Sequence, residues 1–277
     1  MKLPIGIILL VVLTQACAAQ YYYKDLVVTR QTAAQWKLYK QNKVRSVALS
    51  SFEGDGQPSE SFACDQALTS DCSRISTHTH APGSPETWLI ASYSPAGRPV
   101  KTLDTSDTYQ SASEYQYDAA GHITAITNTS TETDNQLKAV EQHLWQYDPT
   151  GRPSAMLKIR NGADTTFVRF VADEKGNIVE EHSSRNKADL PTVYYYYDAD
   201  GRLTDIVRYN EKAQRLLPDY IFEYGEGEQL HSTLVVQEGG AEYQKWIYEY
   251  DDKGLKIKES CFNKKKDLLG RVEYTYK

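Results

Sequence analysis

Tyr197-Asp198-Ala199-Asp200-Gly201-Arg202-Leu203 ends one aromatic-rich run and opens another, and it is one of seven such junctions in this 277-residue chain. The others are Tyr93 to Arg98, Tyr117-Asp118 to His122, Tyr147-Asp148 to Arg152, Ala172-Asp173 to Asn177, Tyr224 to Glu228 and Tyr250-Asp251 to Gly254. Their turn positions fall at 97, 121, 151, 176, 201, 228 and 254, a step of 24 to 30 residues. In the typical unit, Asp-x-x-Gly-Arg, the Asp is able to cap the backbone of a tight turn and the Gly to adopt positive φ, which together favour a short hairpin. Self-similarity at this period means stacked supersecondary units. The sequence therefore predicts an all-β protein, an elongated, curved antiparallel sheet of tandem hairpins.

Two residues before six of the seven turn positions stands a ring: Tyr115, Trp145, Phe170, Tyr195, Phe222 and Tyr248. Side chains two apart on a strand share a face, so each unit sends two rings to one side. The residues between them, such as Gln116, Gln146, Glu223 and Glu249, face water. After the turn, Ile123 and Ile126, or Leu203 and Ile206, are three residues apart, a spacing that predicts a bulge in the returning strand. With 21 Tyr against 6 Phe, the ring face carries hydroxyls that need partners or water.

Residues 91–277 are read as these hairpins, and residues 20–90 as degenerate hairpins and loops continuous with them. Trp36 to Val44 repeats the order aromatic, turn, aliphatic with Asn42 in place of Gly. Residues 53–72 are mostly turn residues, which predicts a long loop or a distorted hairpin. Arg271 to Tyr276 alternates as a closing strand.

Residues 1–19 read as a cleaved secretory signal peptide. Lys2 supplies the positive end, Ile5 to Leu13 the apolar run, and Cys17-Ala18-Ala19 the small residues before a cut at Gln20. Lipidation at Cys17 is the alternative, although Leu13 lies four residues ahead rather than the usual three. The chain is expected outside the cytoplasm, in the periplasm, at the outer membrane or secreted, and at a membrane only if acylated. Its formal net charge of −6 becomes −7 once Lys2 leaves with the signal. Such a surface repels nucleic acid. Of the remaining cysteines, Cys64 and Cys72 are eight apart and make a candidate disulfide, the alternative being three small buried thiols that include Cys261.

The Tyr-Asp-x-x-Gly-Arg-Leu units resemble the YD repeat of the RHS family, exported bacterial proteins whose repeats form long spirals of antiparallel hairpins, closed in large members around a toxin or other cargo. The resemblance covers residues 90–277, with 197–203 the nearest copy. This chain has about eight units and lacks the Asp-Pro segment that releases the toxin, Asp148-Pro149 continuing as an ordinary repeat. Toxin delivery therefore does not transfer. What the resemblance implies is a short curved sheet outside the cytoplasm, with a surface for saccharide or protein.

Candidate chemistry is sparse. His78 and His80 share a strand face, as zinc ligands would, against the simpler reading of a solvated Thr/His strand. Asp104 to Asp107 and Glu53 to Gly56 lack the spacing of a calcium loop. No Gly-x-Ser-x-Gly or phosphate-binding glycine motif occurs. No cofactor is expected. Arg98, Arg152 and Arg202 recur at one place in the unit, as a stripe for an anion or acidic sugar, or as covers for neighbouring rings. Trp145 and Trp246 are the candidate aromatic binders. The expectation is a non-catalytic envelope protein that binds or scaffolds a protein or glycan. The alternatives are an extracytoplasmic hydrolase of polysaccharide or peptide and a purely structural module of a larger assembly.

Overall fold

The computed structural model describes residues 20–134, 137–225, 227, 229–237 and 242–277. The signal segment and the lipidation candidate Cys17 lie outside the described residues. A π-helical turn (Tyr22–Val27) runs into helix α1 (Val28–Gln41), and strands follow. In order they are β1 (Ser46–Glu53), β2 (Ala63–Leu68), β3 (Arg74–His80), β4 (Thr87–Tyr93), β5 (Pro99–Thr105), β6 (Tyr109–Tyr117), β7 (Ile123–Glu132), β8 (Lys138–Tyr147), β9 (Pro153–Arg160) and β10 (Asp164–Ala172). Then come β11 (Ile178–Arg185), the two-residue β12 (Ala188–Asp189), β13 (Val193–Tyr197), β14 (Leu203–Asn210), β15 (Arg215–Tyr224), β16 (Leu230–Val236), β17 (Tyr243–Tyr250), β18 (Lys256–Asn263) and β19 (Leu268–Tyr276).

Each strand pairs antiparallel with the next, β12 standing aside as β11 joins β13. At the seam β1 holds β2 through Leu49↔Cys64 and β19 through Leu49↔Tyr274. The ladder thus returns to its own start, an 18-strand antiparallel β-barrel. This corrects the expected elongated open sheet, and with it the spiral implied by the RHS resemblance. A spiral has a free first and last strand, whereas here both are paired to each other and no edge remains.

The turn unit explains itself in three dimensions. In the units at Asp118, Asp148, Asp173, Asp198 and Asp251, the Asp N–H donates to the carbonyl four residues on at 2.9–3.0 Å. Its carboxylate accepts the N–H of that same residue at 2.7–3.0 Å. Gly121, Gly151, Gly176, Gly201 and Gly254 all have φ between +78° and +92°, where a Cβ is strained. The strand ladder slips one register beside every turn aromatic, for example at Tyr196/Tyr197 and Gln116/Tyr117. The bulge puts both Leu203 and Ile206 inside, as the three-residue spacing predicts.

Tyrosine, rather than Phe, ends the runs because its hydroxyl ties neighbouring units together. Tyr117, Tyr147, Tyr197, Tyr224, Tyr250 and Tyr276 donate to the carbonyls of Pro99, Ile123, Ile178, Leu203, Leu230 and Lys256 at 2.6–2.9 Å. Each bond reaches back across the preceding hairpin to the residue two past its turn position. The carbonyl is freed for this by the adjacent bulge, which leaves a backbone group without a ladder partner.

A ring of this strand number encloses more space than its own side chains fill. Residues 20–44 occupy it, which corrects the reading of Trp36 to Val44 as a decayed hairpin. The period 22, 26, 29, 30, 33 is helical, and Ala33, Ala34 and Leu38 are good helix formers. At one end Tyr21, Tyr22 and Leu26 pack with Trp145, Phe170, Tyr195 and Phe222. At the other, Trp36 and Tyr39 pack with Val47, Leu68, Ile75 and Val272. Trp36 donates to the Cys72 carbonyl at 2.6 Å and stacks on Tyr93 at 6.1 Å. The segment therefore crosses the lumen from the wall around β8–β15 to the wall around β2–β4 and β19.

The outer wall is mixed, with charged pairs interspersed among exposed apolar side chains such as Trp88, Phe167, Tyr196 and Ile257. Lys101–Glu114, Lys245–Glu223 and Lys258–Glu249 form ion pairs at 2.7 Å on it, and Arg271 reaches Glu273 at 2.9 Å. No helix among the described residues is long and apolar enough to cross a membrane. The candidate disulfide is also corrected: Cys64, Cys72 and Cys261 are free and buried. Cys64 Sγ instead lies 3.4 Å from the Thr79 hydroxyl, and Cys72 sits in the tight turn between β2 and β3 with φ +59°.

Candidate functional site

The seven turns lie along one rim, because every unit enters and leaves on the same side. There the helix leaves part of the lumen uncovered, a basin of about 530 Å³. Its floor is one face of the N-terminal segment, Tyr22, Leu26, Thr29, Arg30 and Ala33. Its wall is the turn ends of four successive units, from Arg98 to Ile178.

The basin is basic. Arg30, Arg98, Arg152 and His122 line it, and no carboxylate does. Among the described ion pairs none involves the three guanidinium groups, and His122 alone is partnered, with Asp118 at 2.9 Å. Arg30 donates to the Tyr22 hydroxyl at 3.2 Å, and Arg98 lies over the Tyr117 ring at 5.6 Å. Burial pushes the Tyr117 phenol up to about 12, so it stays neutral. The turn glycines matter here for a second reason. A Cβ on Gly121 would run into the Arg98 guanidinium, and one on Gly176 or Gly151 would crowd Arg152 or His122. In these three cases the residue after one turn glycine lies across the next unit's glycine, so the backbone of Gly121, Gly151 and Gly176 forms the bed on which Arg98, His122 and Arg152 rest.

The candidates divide accordingly. Arg98 and Arg152 meet in the basin. Arg202 does not join them: it pairs with Asp198 at 2.7 Å and Asp200 at 3.3 Å and covers Tyr224 at 4.9 Å. Trp145 and Trp246, read as ligand-surface aromatics, are corrected to lumen residues, each only 5% exposed. Period-two aromatics share a face, and that face turns inward when the sheet closes. His78 and His80 flank Glu86 on the outer wall at 3.5 and 3.4 Å, and the His78 ring stacks on Trp88 at 4.2 Å. Among the described residues no group of three potential ligands could hold a metal. Sequence reading missed His122, which stands where the turn arginines stand, and missed Arg30 because its segment was read as a hairpin.

A second cluster is buried under the helix. His143 Nδ1 lies 2.6 Å from Asp25, its Nε2 lies 3.1 Å from Glu141, and Lys158 reaches Glu141 at 2.8 Å. Trp145 Nε1 donates to the same Asp25 oxygen at 3.1 Å. Burial alone would push the imidazole pKa down, but the bonds from Asp25 and Glu141 outweigh it and carry it to about 9. The bond from His143 leads the causes that hold Glu141 near 2. An imidazole that stays protonated at neutral pH is no general base. The cluster clamps the helix to the wall.

No protein-family model matches the chain, and no curated protein matches it. Among solved structures, a porin-like protein from Bacteroides uniformis is 8% identical, with 84% of this chain and 98% of that chain covered at a TM-score of 0.40. A porin-like protein from Bacteroides vulgatus is 12% identical, with the same coverages and a TM-score of 0.30. The Photorhabdus luminescens Tc holotoxin pore is 13% identical, with 78% of this chain and 15% of that chain covered at a TM-score of 0.30. The RHS assignment is therefore withdrawn: no family model carries it, and the closed ring replaces the spiral.

Proposed function

We propose that this is a non-catalytic extracytoplasmic binding protein whose rim basin takes an acidic glycan. The observation that carries the reading is the basin's charge. In a protein of net charge −6, three arginines that make no ion pair among the described residues converge with Tyr22, Tyr117 and Tyr147 in one concavity. Its volume falls in the range of small-ligand sites. Guanidinium forks match carboxylates, and tyrosine rings give a flat apolar bed for a sugar. The export signal read in residues 1–19 supports the location.

A transport channel is less well supported. The lumen is crossed by the protein's own helix, and ion pairs stud a wall that in a lipid-facing barrel would be an apolar band. The hydrolase alternative would need paired carboxylates facing the ligand, and the basin's lining has none.

The test is calorimetric titration of the purified protein with oligogalacturonate and, in parallel, with a neutral oligosaccharide of equal length. Binding of the acidic chain that weakens with salt and is lost in the Arg98→Ala/Arg152→Ala variant is expected. Equal affinity for both sugars, no binding of either, or an unaffected variant would refute the proposal.

A further inference from the structure

Three carboxylates are buried inside the barrel, Asp25, Glu181 and Glu259. Asp25 faces His143 at 2.6 Å, and Glu259 faces Lys256 at 2.7 Å. Glu181 has no exposure, and among the described residues it makes no ion pair. Its four hydrogen bonds all come from neutral donors. They are the backbone N–H groups of Gln20 (2.7 Å), Tyr21 (3.1 Å) and Tyr22 (3.0 Å), and the Tyr195 hydroxyl (2.8 Å). Burial raises its pKa, and an ionised carboxylate at such a depth is costly without a cation. Asp219 close by does not compete for one, because Arg208 binds it at 2.6 Å.

The shortest of the Glu181 contacts leads to the nitrogen of Gln20, the first residue after the signal cut read in the sequence. We propose that cleavage after Ala19 creates the cation that Glu181 lacks: the α-ammonium of Gln20, seated in the barrel lumen. Hydrolysis of the Ala19–Gln20 bond adds one water, leaves a carboxylate on the departing peptide and an amine on Gln20, and that amine is protonated at neutral pH. Where the amide offers one hydrogen, the ammonium offers three. The site already holds an acceptor for another, since the Gln20 side-chain oxygen is buried without a partner. The side-chain nitrogen is held by Asp219 at 2.6 Å. With amine and side-chain amide each bound to its own carboxylate, the terminal glutamine is kept from cyclising.

This inference depends on the signal reading and not on the glycan proposal, and its test involves no ligand. Intact-mass measurement of the exported protein is expected to give a chain that begins at Gln20, with no loss of ammonia and no lipid. The native protein is then exposed at neutral pH to an amine-acylating reagent, and labelling of the terminus is followed by peptide mapping. Labelling about tenfold or more slower than in the urea-unfolded chain is expected, since each unit by which an amine pKa rises cuts the free-amine fraction about tenfold. Glu181→Gln keeps the shape and removes the charge, and should restore most of the rate. If that variant does not fold, a Gly inserted between Ala19 and Gln20 moves the terminus by one residue and should restore it as well. A chain that starts elsewhere, a lipid on Cys17, a cyclised terminus, or equal labelling of native and unfolded protein would overturn the proposal.

Discussion

Gly97 and Gly201 occupy the same position of the same turn, with φ of +80° and +78°, yet they differ in what lies above them. Nothing comes within 4 Å of a Cβ built on Gly201, whereas one on Gly97 would collide with the six-membered ring of Trp36. Alanine at Gly201 should therefore cost only the left-handed backbone strain, about 1–2 kcal/mol. Alanine at Gly97 carries the same strain and must also displace Trp36, which is buried, stacked on Tyr93 and bonded to the Cys72 carbonyl. Removing a buried aromatic altogether costs about 3–5 kcal/mol, and shifting one forfeits part of that, so the total for Gly97→Ala should be about 3–4 kcal/mol. Urea unfolding followed by tryptophan fluorescence measures both variants. Trp36→Ala, added to each, should reduce the difference between them to near zero, because contacting residues are not additive. Equal costs for the two glycine variants would show that the helix does not dock against this rim, and the account of a filled barrel would fail.

Three further outcomes are expected. The folded-state pKa of His143, raised from 6.5 to about 9, stabilises the fold fully below pH 6.5, and this is lost as pH rises through 9. Wild type should thus lose on the order of 3 kcal/mol between those pH values in chemical denaturation, and His143→Gln should show no such slope. Tyr147→Phe and Tyr197→Phe should each cost about 1 kcal/mol by leaving the Ile123 and Ile178 carbonyls without their partner, while the outward Tyr196→Phe should cost under about 0.5 kcal/mol. Burial raises the thiol pKa of Cys64 and takes that of Cys261 to about 12. Thiol titration should therefore find the native protein unreactive and three thiols free after unfolding without reductant, and two missing thiols would contradict the unbonded Cys64 and Cys72.

The local grammar of this protein is written in its sequence. Asp118, Gly121, Ile123 and Ile126 and their equivalents are enough to place the turns, the positive φ, the bulges and the ring-bearing face, because all of these are set within one or two neighbouring strands. The sign of the charge on Arg98 and Arg152, and their recurrence at one rim, are legible for the same reason. Closure is not, since it depends on the accumulated twist and tilt of the whole ladder, and nothing in Leu49 announces that it will lie between Cys64 and Tyr274. Once the ring closes, the face that carries Trp145 and Trp246 becomes an interior instead of a binding surface, and the space within it calls for a filler. Only the tertiary structure shows that residues 20–44 are that filler, that Arg30 completes the basin, and that Glu181 waits beside Gln20 more than a hundred residues away in sequence. Such contacts join segments that no sequence period relates.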